Sequence, residues 1–370
     1  MEPKIEGIVE NNNIIEFTLN NCKVCYANAI RRVIISNIPC VVFETFPYNK
    51  NKVDITENTT RYNNEIIKQR LSCIPIHIDI FDKDIELDDY IVELDVTNDT
   101  KTIKYVTTDD FKIKSEKTQK YIKQTSLNEI FPLDKITNQP IDIIRLLPKL
   151  NNVSQETIKL TGKFSILTSE DNGSFNVASI CTYSNTPDNM KIKEEWELRK
   201  RELLKTNTQD SIKNIEKNFY LLDAKRYFIE NSYIFKIESE SIYNNFRLVD
   251  IACSIIINRL YKLLDGFKTN PDLIYQSSDT MDNCYICRLE NEDYTIGKIV
   301  ENSLYSMYFN QKKILSYCGF LKQHPHDNYS IIKLAFVNSI TYDDIIVILE
   351  ECITNDIAVI NKIKHYFTLD

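Results

Sequence analysis

At 370 residues, with 43% hydrophobic and 26% charged side chains, the chain is long enough for two or three domains with cores of their own. Its net charge of −8 argues against nucleic-acid binding in its own right, because phosphate contacts need clustered Lys and Arg. Residues 1–10 hold no apolar run of signal-peptide length, and no later stretch reaches the ~18 uninterrupted apolar residues of a membrane span, so an intracellular protein is expected. Gly is scarce at 6 and Tyr abundant at 21, while Asn, Ile and Lys recur throughout, a bias that an AT-rich genome would produce.

Residues 5–9 and 14–19 read as a strand pair around an Asn11-Asn12-Asn13 turn. Next comes a helix within 21–39. Ala27, Ile30, Val33, Ile34 and Ile38 share one face, Asn20 or Asn21 serves as N-cap, and Pro39 stops it. Periodicity leaves Asn28, Arg31 and Arg32 unexplained. Mid-helix arginines gain little from the dipole, so they form either a solvated basic face or a fork for a partner's carboxylates and carbonyls. Residues 40–46 read as extended, and Glu65 and the run Arg70-Leu71-Ser72-Cys73-Ile74-Pro75-Ile76 follow an Asn58-Thr59-Thr60 box. Ile74, Ile76, Ile78 and Ile80 alternate with Pro75, His77 and Asp79, the pattern of a strand with one buried face and His77 on the other.

From 81 to 185 the candidates are short strands at 91–96, 103–107, 158–167 and 177–183. Residues 191–217 are highly charged around the single Trp196 and read as an exposed helix or ordered linker. A strand at 233–240 precedes a helix carrying Val249, Ala252, Ile256, Leu260 and Leu263, with Gly266 as a left-handed C-cap. Residues 284–289 read as a strand before Glu292-Asp293-Tyr294-Thr295-Ile296-Gly297-Lys298-Ile299-Val300, and His324-Pro325-His326 forms a turn before a strand at 331–337. The chain closes on a helix capped by Thr341 with Asp344, whose apolar stripe of Ile346, Leu349, Ile353, Ile357, Ile360, Ile363 and Phe367 needs a partner helix.

Asn28-Ala29-Ile30-Arg31-Arg32, the extended segment at 40–46, Glu65 and the Arg70 to Ile76 run keep an order and spacing that resembles the N-terminal domain of alpha-type RNA polymerase subunits: bacterial alpha, archaeal D and the third-largest eukaryotic subunit. The 292–300 box and the His-Pro turn resemble the small alpha-like subunits, archaeal L and its eukaryotic counterpart, with Tyr294 and Lys298 replacing the usual His and Asn. The resemblance implies an α+β fold in which two alpha-type dimerisation domains form an intramolecular pseudo-heterodimer: a discontinuous large domain at 1–80 and 226–267, a mostly β insert at 81–225, and a small domain at 268–370. It implies intramolecular dimerisation through Ala27, Ile30, Val33, Ile34, Asp293, Thr295, Gly297, Ile353, Ile357 and Ile360. The closing helix is then expected to pack on the helices at 26–38 and 249–264. Contacts to other subunits would fall on Asn28, Arg31, Arg32, Glu65, Arg70 and Pro75.

The implied role is a platform that binds the second-largest and then the largest polymerase subunit, with small accessory subunits as further partners. DNA is engaged only indirectly, there is no membrane, and no separate small alpha-like partner is needed. A fusion of this kind suggests a large DNA virus, placing the protein in the virion and the infected-cell cytoplasm. The rival reading is a homodimeric scaffold that uses the same fold for unrelated binding. No Asp-x-Asp-x-Asp triad or phosphate-binding Gly loop is present, so no catalytic residues are expected and the polymerase Mg²⁺ is assigned to other subunits. The ten cysteines include two Cys-x-x-Cys pairs, Cys22/Cys25 and Cys284/Cys287. A helix start and a strand are poor partners for one zinc, so buried reduced thiols and no metal are expected.

Overall fold

Asn12 and Asn13, at φ 50° and 65°, reverse the chain between its first two strands, as short amide side chains allow. A computed structural model describes residues 2–81, 87–134, 136–149, 155–205, 208–278 and 281–368. Parts of the expected insert, at 82–86, 135 and 150–154, lie outside the described residues. The elements in chain order are β1 (Lys4–Asn11), β2 (Ile14–Asn20), α1 (Val24–Ser36), β3 (Cys40–Phe43), β4 (Val53–Asn58), α2 (Asn64–Ser72), β5 (Tyr90–Thr97), β6 (Lys104–Thr107), β7 (Lys112–Ser115), α3 (Gln124–Ile130), β8 (Asp142–Leu146) and β9 (Thr157–Leu167). There follow β10 (Ala178–Pro187), α4 (Asn189–Leu203), α5 (Gln209–Leu221), β11 (Phe228–Ser239), α6 (Asn245–Thr269), β12 (Ile274–Gln276), β13 (Cys284–Glu290), α7 (Tyr294–Leu304), β14 (Leu315–Leu321), β15 (Tyr329–Phe336) and α8 (Tyr342–His365). The fold is mixed α+β.

The first compact unit takes the chain up to Ile34, Ser179–Ser239 and everything from Asn245 on. It holds two four-stranded sheets, ordered β1-β2-β11-β10 and β12-β13-β15-β14. Each is built by the same path: two strands, a helix (α1 or α7), two strands, a helix (α6 or α8). Ranked along the chain, the strands of both sheets stand first, second, fourth, third. In the first sheet the inward residues Ile15, Phe17 and Leu19 are buried, and Phe17 opposes Phe235 in register with rings stacked 5.0 Å apart. Helices α6 and α8 run antiparallel: the Tyr342 hydroxyl donates to the Phe267 carbonyl (3.2 Å), Lys268 pairs with Glu350 (2.6 Å) and, at the far end, Lys364 with Asp250 (3.7 Å).

The second unit is Ile35–Ala178 with Glu240–Asn244. Its spine is β9, which pairs β3 and β4 on one edge and β5 on the other; β7 extends the sheet and β6 pairs β8. Phe43, Phe111, Phe131 and Phe164 centre its core.

Several expectations are corrected. Residues 74–80 are not a strand. Ile74, Ile76 and Ile78 are buried and the residues between them only half so, but the extended chain forms no ladder among the described residues: the Ile74 amide bonds back to the Leu71 carbonyl (3.1 Å) and the His77 amide to the Ile130 carbonyl (2.8 Å). Apolar alternation reports burial, while a strand also needs a backbone partner. Helix α1 starts at Val24; Asn21 sits at φ 53° and gives its side-chain amide to the Glu2 carbonyl, serving the turn out of β2 instead of a cap. Gly266 lies inside α6, which runs on to Thr269. The charged segment around Trp196 is a hairpin of two helices, α4 and α5, closed on a small core of Ile192, Trp196, Ile212, Phe219 and Ala224. The boundaries expected at 80/81 and 225/226 fall at 34/35 and 178/179, because β3 and β4 pair with β9 and the hairpin connects β10 to its neighbour β11. Residues from 268 on share one unit with the first sheet. Among the described residues no helix is long and apolar enough to cross a membrane.

Candidate subunit interface

At the start of α7 an acidic pair is met by arginines from the other half of the first unit. The Arg32 guanidinium, on α1, pairs with Asp293 Oδ2. Arg259, on α6, forks onto Glu292, its Nε reaching both carboxylate oxygens at 3.1 Å, and lies 3.9 Å from Asp293 Oδ1. Asp293 is also the N-cap, its Oδ1 accepting the Thr295 amide at 2.8 Å. Burial opposes the charge on Asp293, but hydrogen bonds from Thr295 and the guanidiniums of Arg32 and Arg259 outweigh it and hold the carboxyl below its ordinary range.

One turn on, Gly297 lies under the Phe320 ring, which leans edge-on against Tyr294 at 5.0 Å. A Cβ built on Gly297 would stand 1.9 Å from Cε2 of that ring, so the ring occupies the space any larger residue would need.

Helix α8 buries Ile353, Ile357 and Ile360 and packs on α6 and on α7. The expected packing on the helix at 249–264 is observed; α7 is an unexpected second neighbour, because the period of α8 shows its apolar face and not what meets it. In the register of that face, Ile345 and Ile348 are buried while Ile346 is half-buried. The stripe is interrupted by Asp356, 0% exposed, whose Oδ1 accepts the Tyr26 hydroxyl of α1 (2.7 Å) and the Ser303 hydroxyl of α7. Asp356 Oδ2 has no hydrogen-bond partner among the described residues. Burial pushes its carboxyl up to about 7 against the opposing effect of the two hydroxyls. One acid thus ties together α1, α7 and α8.

Of the residues expected at the intramolecular junction, Ala27, Ile30, Val33 and Ile34 are buried on α1, and Thr295 and Gly297 on α7. Those expected to face other subunits are placed differently. Arg31 folds back on its own helix, Nε and Nη2 donating to Asn28 Oδ1 at 3.2 and 3.0 Å. Asn28 lines a cleft of about 410 Å³ with Val24, Cys25, Tyr183 and Lys298. Arg32 pairs with Asp293 while its side chain stays 37% exposed. In the second unit Glu65 is exposed in the first turn of α2, behind the Asn63 cap, and Pro75 is half-buried. Arg70 is exposed, and its guanidinium donates to the carbonyls of Ile143 (2.6 Å) and Asp142 (2.9 Å), joining α2 to β8. Glu65 and Arg70 are the exposed members of the set, and Asn28, Arg31, Arg32 and Pro75 are half-buried.

All ten cysteines are free thiols. Burial pushes Cys25 and Cys253 up to about 12 and raises Cys22 and Cys287 further, so these groups stay protonated.

The family description for the RNA polymerase Rpb3/Rpb11 dimerisation domain matches residues 16–260, about two thirds of the chain. The chain belongs to this family. Similar proteins include DNA-directed RNA polymerase subunit Rpo3 of Pyrococcus horikoshii, 35% identical over 105 residues, and that of Pyrococcus furiosus, 33% identical over 105 residues. Those stretches cover 28% of this chain and 38% of each relative, so the chain spans well under half the length of the curated relatives it matches. The Rpb3/Rpb11 match ends inside α6, and the second ββαββα path lies beyond it.

Sequence reasoning missed Arg259, Tyr26, Ser303 and Asp356. Asp356 carried a usable signal, a carboxylate at the centre of an apolar helical stripe; the other three read as ordinary members of their helices.

Proposed function

We propose that this chain is an assembly-platform subunit of a DNA-dependent RNA polymerase in which a large and a small alpha-like half are joined covalently. The observation that carries the reading is the repeated ββαββα path, with its shared strand order, inside one compact unit. Arg32–Asp293 strengthens it, since this pair bridges the two alpha-type boxes. Joining the halves makes their association intramolecular, at an effective concentration of order mM for a short flexible link. In this role the subunit binds the second-largest and then the largest polymerase subunit, with small accessory subunits as further partners and no separate small alpha-like partner. Glu65 and Arg70, the exposed members of the expected set, are the first residues assigned to those contacts, with Asn28 beside its cleft next. The subunit holds neither zinc nor the polymerase Mg²⁺, takes no part in nucleotide transfer and meets DNA only through its partners. Its source is a large DNA virus, and its place the virion and infected-cell cytoplasm.

Reconstitution tests this. The purified chain is mixed with the second-largest and largest subunits of the same source, with no small alpha-like protein added, and promoter-independent transcription is measured. Assembly and RNA synthesis that require the chain support the platform; assembly that proceeds equally without it, together with a stable homodimer of the chain, would establish the rival scaffold reading.

A further inference from the structure

The second unit carries a loop that the platform geometry leaves unused. Between β3 and β4, Phe46 is 76% exposed and Tyr48 90% exposed, although each ring would bury 150–250 Å² in a core or interface. The loop is held in shape. Lys52 donates its amide to the Glu44 carbonyl (2.9 Å), and Lys50 and Asn51 donate theirs to Pro47 and Tyr48 (2.9 and 3.3 Å). The Asn51 side chain bridges the Val53 backbone at 2.8 and 3.2 Å. Beneath, the buried Glu44 carboxylate accepts the Ser165 hydroxyl at 2.8 Å. A short turn fixed from both ends thus holds two rings in water at little further entropic cost on binding.

We propose that this loop is a docking anchor whose Phe46 and Tyr48 seat in an apolar pocket edged by carboxylates on another protein subunit of the polymerase. The partner class rests on the reading of the chain as a polymerase subunit; its chemistry rests on the loop. Lys50 and Lys52 are exposed beside the rings, and neither ammonium has an acidic partner within ion-pair distance among the described residues. Two unneutralised cations flanking two aromatic rings fit an apolar pocket with an acidic rim. A second copy of this chain fits poorly, since a two-fold contact through the loop would set these lysines against their own copies. Nucleic acid fits poorly too, because the neighbouring Lys163 is already paired with Glu116 and a chain of net charge −8 leaves Lys50 and Lys52 as the unneutralised cations named here, where phosphate binding needs a cluster.

The test uses the full chain, free and in the polymerase assembled from its own subunits, with oxidative footprinting of Phe46 and Tyr48. Strong labelling in the free chain and protection in the assembly are expected. Phe46→Ser with Tyr48→Ser should leave the melting temperature unchanged and weaken incorporation roughly 30-fold or more, the loss of a hot spot. Lys50→Glu with Lys52→Glu should weaken it further at low salt than at high. Rings labelled equally in free and assembled protein would overturn the anchor while the platform stands; a chain that never joins the polymerase would overturn both. A lowered melting temperature of the double variant, ring protection in a homodimer, or crosslinking of Tyr48 to nucleic acid would each overturn the proposal.

Discussion

Asp293 and Asp356 respond to pH in opposite senses. Asp293 sits below its ordinary range, so its contribution to stability is present above pH ~4 and is lost as the pH falls through its folded value. Asp356 is raised to about 7; the folded state holds a proton that the unfolded chain releases at ~4, so its contribution is complete below pH ~4 and is lost as the pH rises towards 7. In urea titrations between pH 4 and 8, Asp356→Asn should therefore lack a downward slope that the parent shows, and identical slopes would refute the buried-acid account. Gly297 gives a second test. Ala is intrinsically ~1 kcal/mol better than Gly inside a helix, yet Gly297→Ala should destabilise, because its Cβ meets the Phe320 ring. With Phe320→Ala already in place the same change should become neutral or stabilising, and a double-mutant cycle reads the difference. The glycine of the 292–300 box was visible in the sequence as a family position; the reason for it, a ring from a strand more than twenty residues later, was not.

Elements whose signals are local were the ones legible beforehand. The capping box of Thr341 and Asp344 opens α8 as expected, since cap and helix lie within four residues of each other. Residues 74–80 show the converse: their alternation correctly marked Ile74, Ile76 and Ile78 as buried, but whether a partner strand exists is decided by chain far away. The α4–α5 hairpin was hidden by its charges. Its stability is concentrated in Trp196, 3% exposed and 5.3 Å from the Phe219 ring. Trp196→Ala should cost ~3–5 kcal/mol locally and melt α4 and α5 while the Phe17–Phe235 sheet persists. Loss of helical circular dichroism before the main unfolding transition is the expected signature, and a single unchanged transition would contradict it.

For the whole molecule, the two alpha-type boxes could be read from residue order alone, whereas the equivalence of the two halves lies in strand order, which is set by pairings such as Phe17 with Phe235 and Cys287 with Ile332 across long stretches of chain. The junction between the halves was likewise half visible. Its apolar residues, from Ala27 to Ile360, follow helical periodicity, but the polar links Arg32–Asp293, Arg259–Glu292 and Tyr26–Asp356 join residues that share no local pattern. In the proposed reading, these links and the helices around them occupy within one chain the surface that two separate subunits would use to pair. Light scattering of the purified chain should give one copy, 43.4 kDa, at all concentrations, and a one-to-one complex once the second-largest polymerase subunit is added. A stable homodimer that ignores that subunit would contradict the account.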